Sequence, residues 1–181
     1  MFGWIANRNR ERIVERVYAE IVAQARQPAF YEQSGVPDTM EGRYEMMVLH
    51  VFLLLNRLRD ADEKARDAAQ AVCDHFFLEM DRAMREMGVG DLTVPKKMKK
   101  IAALYASRSQ TYGDALSGEV DSRLAKALAK AIFDDETKLD AGEALATYVR
   151  TSVTTLASRE PMDLIERAVV FADPMVAAGA R

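Results

Sequence analysis

Apolar residues recur along this chain at steps of three and four, which is the spacing of one face of an α-helix. The clearest case spans residues 62–87, where the apolar positions form one stripe opposite a charged face (Ala65, Ala69, Val72, Phe76, Met80, Ala83, Met87). No stretch shows a convincing alternation of apolar and polar residues, as a β-strand would. The pattern therefore predicts an all-α protein, with six or seven helices in a single compact domain.

Residues 46–55 form the most apolar run of the chain. The run contains His50 and is soon followed by two arginines, so it is too short to span a bilayer. Apolar residues on nearly all sides of a helix indicate burial. We therefore expect a buried central helix near residues 39–59, with Asp38 and Glu41 forming a capping box at its start.

The same spacing predicts the remaining helices, at residues 9–26, 95–116, 120–133, 140–158 and 161–172. Residues 27–38 contain two prolines and a glycine, which indicate a connector. Phe2 and Trp4 lie before a cluster of arginines, a combination that suits either a membrane interface or a tail packed on the first helix. The chain thus divides into residues 1–28, an N-terminal helix with a candidate interfacial tail, and residues 29–178, the main helical domain.

A glycine-containing corner joins two of the predicted helices. Gly88 follows the end of the first helix, where a left-handed cap favours glycine. Gly90 allows a second tight turn, and either Asp91 or Thr93 can cap the next helix. Residues 85–100 therefore predict a sharp change of chain direction.

Four lysines follow Pro95, which itself suits the first turn of a helix. On a helical wheel Lys96, Lys97, Lys99 and Lys100 share an arc of about 160° and should be exposed. Cations at a helix N-terminus oppose the helix dipole, at a cost of about 0.3–1 kcal/mol each. The lysines are either a site for an anionic partner or a solvated face neutralised by nearby acids, and the residues leave both readings open.

The composition of the chain limits the kinds of function that it could have. The 25 basic and 28 acidic residues give a net charge of -3, which argues against a general nucleic-acid binder. Cys73 is the single cysteine, so an internal disulfide and a cysteine-based zinc site are excluded. His50 and His75 lie in apolar helical stretches without metal-binding spacing, and we expect core or boundary positions for them. No catalytic constellation is visible, and we expect neither an enzyme nor a cofactor or metal site.

Several short motifs resemble, in the same order, those of the ubiquinol–cytochrome c chaperone family. The first group resembles the family's opening (Phe30-Tyr31, Gly35-Val36-Pro37-Asp38-Thr39, Gly42-Arg43-Tyr44-Glu45, Leu49-His50). The second resembles its central signature (Met80-Asp81, Arg85-Glu86, Gly88-Val89-Gly90-Asp91, Val94-Pro95-Lys96-Lys97-Met98-Lys99), and a third resembles its end (Tyr112, Ala115-Leu116). The likeness is close over residues 29–116 and looser elsewhere.

The resemblance implies a chaperone that binds newly made cytochrome b while ubiquinol–cytochrome c reductase, respiratory complex III, is assembled. Eukaryotic members act with a small helical partner and contact the mitochondrial ribosome. By this likeness the candidate partner-binding residues lie in the corner (Lys96, Lys97, Lys99, Lys100, Arg85, Asp91). The structural signature comprises Asp38, Gly88, Gly90 and Pro95.

No transit peptide precedes the matched region, so we expect a bacterial member in the cytoplasm, near or on the inner membrane. Expected partners are nascent cytochrome b or another apolar client, and a ribosome or an anionic membrane surface, but not DNA. The alternative is a helical adaptor that binds the ribosome or RNA without a cytochrome client. The sequence does not indicate an oligomeric state.

Overall fold

The computed structural model describes residues 2–118 and 122–178, with side chains described from residue 9 to residue 177 of those ranges. Over this part the chain forms eight α-helices and a closing 3-10 helix, without strands, which confirms the predicted class. Six of the helices have twelve or more residues. Their bounds are α1 Phe2–Ala25, α2 Pro28–Glu32, α3 Met40–Leu58, α4 Glu63–Glu86, α5 Val94–Ser117, α6 Ser122–Phe133, α7 Leu139–Ala157, α8 Pro161–Glu166 and the 3-10 helix Pro174–Ala178.

Helix α3 is the centre of the fold, as predicted. Every residue from 45 to 54 is buried, and helices α1, α4, α5, α6 and α7 all pack against it. Burial on all sides explains the apolar run, because no face of residues 45–54 meets water.

The start of α3 differs from the predicted capping box. Thr39, not Asp38, is the N-cap, and its hydroxyl accepts a hydrogen bond from the Gly42 amide at 3.1 Å. Asp38 lies one residue too early, and its carboxylate accepts a hydrogen bond from Arg43 Nε at 2.6 Å. Gly42 has a packing role, since a Cβ there would lie 2.1 Å from the Pro37 carbonyl oxygen.

His50 occupies the core as predicted, within a hydrogen-bonded chain that links α3, α7 and α1. Its Nδ1 lies 2.7 Å from the Met46 carbonyl oxygen, so Nδ1 carries the proton. Nε2 then accepts from the Tyr148 hydroxyl at 2.7 Å, and Gln24 Nε2 donates to the same hydroxyl oxygen at 3.0 Å. His75 lies at the boundary, with its ring edge-on to Tyr18.

Helix α4 carries the predicted apolar stripe, with one exception. Asp62 caps it by accepting from the Ala65 amide at 2.8 Å. The inward positions run through Phe76 to Met84, whereas the predicted Met87 is 53% exposed. Met87 is the C-cap, where the chain leaves the helix and its side chain no longer faces the core.

The sequence prediction missed one short helix, began α1 at residue 9 instead of Phe2 and extended the last helix too far. Residues 28–32 of the expected connector form α2, and α7 begins at Leu139, one residue before its predicted start. Helix α8 ends at Glu166 instead of continuing to residue 172. The chain beyond it is held by side chains, because Glu20 accepts from the Val169 amide at 2.8 Å and Ser152 from the Ala172 amide at 3.2 Å. Residues 119–121, where α6 was expected to begin, lie outside the described range.

Candidate functional site

The corner between α4 and α5 begins with a left-handed cap. Gly88 has φ +79°, a conformation that glycine adopts without the steric cost of a side chain. The Val89 amide donates to the Met84 carbonyl and the Gly88 amide to the Arg85 carbonyl, both at 3.0 Å. These two bonds form a Schellman motif, which satisfies the last carbonyls of α4 and turns the chain.

The second glycine has a different role from the one predicted. Gly90 is not among the residues with positive φ, and nothing lies within 4 Å of a Cβ built on it. Its carbonyl accepts from the amides of Thr93 and Val94, at 2.8 and 3.2 Å. The turn at this point uses the backbone of Gly90, but it does not need glycine's conformational freedom.

Neither predicted cap stabilises the start of α5. Thr93 occupies the N-cap position with helical φ and ψ, so its hydroxyl makes no capping bond. Asp91 instead accepts from Arg85 Nη1 at 2.5 Å, and Arg85 Nε also donates to Asp81 at 2.6 Å. Arg85 of α4 thus links Asp91 in the corner to Asp81 on the same helix. Pro95 lies in the first turn of α5, as predicted.

The four lysines form an exposed basic surface at the start of α5. Lys96, Lys97, Lys99 and Lys100 are all exposed, whereas Val94 is fully buried beneath them. Among the described residues none of the four makes an ion pair, and the Asp91 carboxylate is already paired with Arg85. The lysines are thus exposed without ion pairs, which fits both a solvated face and a site for an anionic partner.

Helix α5 is held to the body by polar contacts that the sequence analysis missed. Arg108 forms an ion pair with Glu45 of α3, with Nη2–Oε1 at 2.9 Å and Nε–Oε2 at 3.1 Å. The Tyr44 hydroxyl donates to the Ile101 carbonyl at 3.3 Å. A glutamate inside a buried apolar helix is the one sequence signal that could have identified this anchor, because a buried carboxylate requires a partner.

The ion pair and the hydrogen bond that hold α5 matter because this helix buries few of its side chains. Of its 24 residues, Val94, Tyr112 and Ala115 are buried. Burial raises the pKa of the Tyr112 hydroxyl, which has no hydrogen-bond partner within the described part of the chain. The contact between α5 and the core is thus shallow near the lysines and deeper toward its C-terminal half.

An apolar groove of about 360 Å³ lies away from the corner, between α1, α4 and α8. Its floor and walls are aliphatic or small (Ile13, Val14, Val17, Ala68, Val72, Met162, Ile165). At the rim, Lys64 pairs with Glu166 at 2.8 Å and Arg10 donates to the Asp67 carbonyl at 3.1 Å. An apolar floor with a charged rim suits an apolar side-chain cluster of a partner better than a polar metabolite.

The described residues show neither a membrane-spanning helix nor a metal-binding cluster. No helix there combines the length and the apolar character needed to cross a bilayer. No group of three or more His, Cys, Asp or Glu side chains is arranged to hold a metal ion.

Comparison with known proteins places this fold and its corner in a family. The family model described as ubiquinol-cytochrome C chaperone matches residues 32–171. The chain is 38% identical to a protein whose structure is described as the crystal structure of the Cbp3 homolog from Brucella abortus. The two superpose with a TM-score of 0.85 over 97% of this chain and 98% of that one.

Ubiquinol-cytochrome-c reductase complex assembly factor 1 of Xenopus laevis is 24% identical over 165 residues, covering 89% of this chain and 80% of the relative. The human assembly factor 1 is also 24% identical over 165 residues, but this chain covers 54% of it. The chain thus spans about half the length of the human protein.

The fold, the motifs and these matches define an all-helical chaperone and assembly factor. The chain belongs to the ubiquinol–cytochrome c chaperone family.

Proposed function

We propose that this protein binds newly made cytochrome b and holds it during the assembly of complex III. The observation that carries the proposal is the family match over residues 32–171, which includes the α3 motifs and the whole corner. The relatives that the chain matches are named as assembly factors of ubiquinol-cytochrome c reductase.

The groove between α1, α4 and α8 is the proposed client site. Its volume, about 360 Å³, lies near the lower end of the range for ligand pockets, about 300–1,000 Å³. It would therefore take a few apolar side chains of a client segment rather than a complete helix. Covering such side chains keeps them from water, which favours binding by about 25 cal/mol per Å² of apolar surface buried.

The proposed activity is reversible, non-covalent binding of the client. A client that is later passed to its complex must leave the chaperone, so a small groove with a charged rim suits the task better than a large apolar interface. The exposed lysines of α5 add a second contact with an anionic surface, which would keep the protein at the cytoplasmic side of the membrane.

Deletion of the gene in a host that respires through complex III tests the proposal. We expect assembled cytochrome b, measured by its haem absorbance in membranes, to fall and to recover when the wild-type gene is restored. Ala68→Glu places a carboxylate in the groove and should not restore it, whereas Gln70→Glu, two residues away on the exposed face of α4, should. Normal cytochrome b in the deletion strain would refute the proposal.

A second candidate function is a ribosome-associated adaptor without a cytochrome client, and the unpaired lysines are the observation that favours it. It predicts that the protein co-sediments with ribosomes even in cells that do not make cytochrome b. Loss of co-sedimentation in those cells would instead favour the chaperone.

A further inference from the structure

The corner carries exposed apolar side chains as well as lysines. Leu92 is 98% exposed and Met87 is 53% exposed, although both belong to residue types that are usually buried. We call these two residues the apolar tip. They lie on either side of the Gly88 cap, within a few residues of the lysines.

The contacts described for the corner do not account for an exposed leucine at position 92. The turn that carries it is closed by backbone bonds from the Thr93 and Val94 amides to the Gly90 carbonyl, and these bonds do not require a leucine. Arg85 holds the neighbouring Asp91. The structure therefore holds the leucine firmly in place but leaves its side chain in water.

The charge around the tip is strongly positive. Residues 85–100 contain five basic side chains against two acidic ones, an excess of three positive charges in a chain whose net charge is -3. Half of the chain's eight lysines lie in this segment. Such a local concentration would attract an anionic surface at physiological salt over a distance of about 8 Å.

We propose that the corner docks on an anionic phospholipid bilayer, with Leu92 inserted at the boundary of the acyl chains and the lysines among the headgroup phosphates. Exposed apolar residues beside lysines are the pattern of an interfacial anchor, because lysine stems can lie along the apolar boundary while the ammonium groups stay in water.

RNA fits the same surface less well. Single-stranded RNA is bound through aromatic side chains on which bases stack, and residues 85–100 contain no aromatic residue. A duplex would use the lysines but leave Leu92 in solvent. RNA and a phospholipid bilayer both present phosphates, and the apolar tip is the feature that favours the bilayer.

This inference rests on the proposed contact of the lysines with an anionic surface and can fail separately from the proposed client binding. The groove lies along residues 64–72 of α4 and the corner follows residue 86. Ala68 and Glu86 are about 27 Å apart along the helix axis, at 1.5 Å per residue. Changes at the tip should therefore leave the groove intact.

The first test measures co-sedimentation of the purified full chain with vesicles of phosphatidylcholine, with or without phosphatidylglycerol. We expect binding to the anionic vesicles and little to the neutral ones. Leu92→Ser should weaken binding about tenfold, since the leucine side chain would no longer be buried in lipid. Met175→Ser, at another exposed apolar residue (52%), should bind as the wild type does.

The second test removes charge. The variant Lys96→Gln, Lys97→Gln, Lys100→Gln should bind about a hundredfold more weakly, from about fivefold for each lysine at an anionic surface. The matched variant Lys126→Gln, Lys130→Gln, Lys138→Gln removes three exposed lysines elsewhere and should bind normally.

Equal binding by Leu92→Ser and the wild type would overturn the proposal, because the leucine would then not be inserted. Lack of vesicle binding, together with lysine-dependent binding of a ribosomal RNA fragment, would assign the surface to RNA instead. Cytochrome b levels in the complemented deletion strain provide the separate readout for client binding.

Discussion

His50 is a buried histidine whose surroundings favour the neutral ring. Both ring nitrogens are already used, with Nδ1 donating to Met46 and Nε2 accepting from Tyr148. Burial lowers the pKa of His50 from 6.5 to about 4, although the Met46 carbonyl acts in the opposite direction. Protonation would turn Nε2 into a donor facing a hydroxyl whose proton already points toward it.

This predicts a pH dependence of stability. The pKa of His50 is lower in the folded protein than in the unfolded chain, so its contribution is complete above pH 6.5 and is lost as the pH falls toward 4. The loss should amount to about 3 kcal/mol, at 1.36 kcal/mol per pKa unit. Urea unfolding of the wild type and of His50→Gln between pH 7 and pH 4 measures it. Parallel pH curves for the two proteins would contradict this role of His50.

The two glycines of the corner should respond differently to the same substitution. Gly88→Ala places a side chain at φ +79° and should lower the free energy of unfolding by about 1 kcal/mol. Gly90→Ala is the matched control and should change stability by much less, since its φ is not positive and a Cβ there meets nothing within 4 Å. Chemical denaturation distinguishes the two, and equal losses would show that the cap geometry is not the cause.

Helix α5 is anchored to the core helix α3 by one ion pair, between Arg108 and Glu45. It buries three side chains, and Glu45 holds Arg108 from the core side. The Glu45 side chain is 9% exposed and that of Arg108 is 23% exposed, so removing the arginine leaves a nearly buried carboxylate without its partner.

Arg108→Met should therefore loosen α5 and cost about 1–3 kcal/mol. Hydrogen exchange should become faster in residues 94–117 and change little in α3 and α7. Arg123→Met, at an exposed arginine of α6, is the control. Replacing both partners, as in Glu45→Met with Arg108→Met, should recover part of the loss, because no uncompensated charge then remains. Unchanged exchange in α5 for the single variant would show that apolar contacts hold the helix.

The long helices could be predicted because their apolar spacing reflects which side meets the core. Helix α3 was recognisable from its run of apolar residues, and α4 from its apolar stripe. The segment after α8 was not, because the chain is held there by Glu20 and Ser152, which lie more than a hundred and about twenty residues away in sequence. Local pattern carries no information about such distant partners.

The features of the candidate site also divide into those that could be predicted from the sequence and those that could not. Exposure of the four lysines followed from a helical wheel, and the left-handed cap followed from Gly88. The exposure of Leu92 could not be predicted, because it depends on how α4 and α5 are arranged around α3. Glu45 in a buried apolar helix signals that its carboxylate needs a partner, but the sequence does not show that the partner is Arg108. Asp91 was one of two candidate caps, and its pairing with Arg85 across the turn does not follow from local pattern.

The molecule as a whole has two distinct ends, joined by α4. One end has the apolar groove with its charged rim, and the other has the basic corner with its apolar tip. In the account proposed here, the corner holds the protein on the membrane while the groove covers apolar side chains of cytochrome b. If both proposals hold, this separation would let one protein keep its client near the bilayer.

Site-specific photo-crosslinking in cells that respire through complex III tests the central proposal most directly. A photoreactive residue replaces Ala68 in the groove, and in a second strain it replaces Lys126, which is exposed on α6. We predict an adduct with cytochrome b from position 68, strongest while cytochrome b is being synthesised, and none from position 126. Absence of cytochrome b from the adducts at position 68, in a strain that makes it normally, would contradict the account.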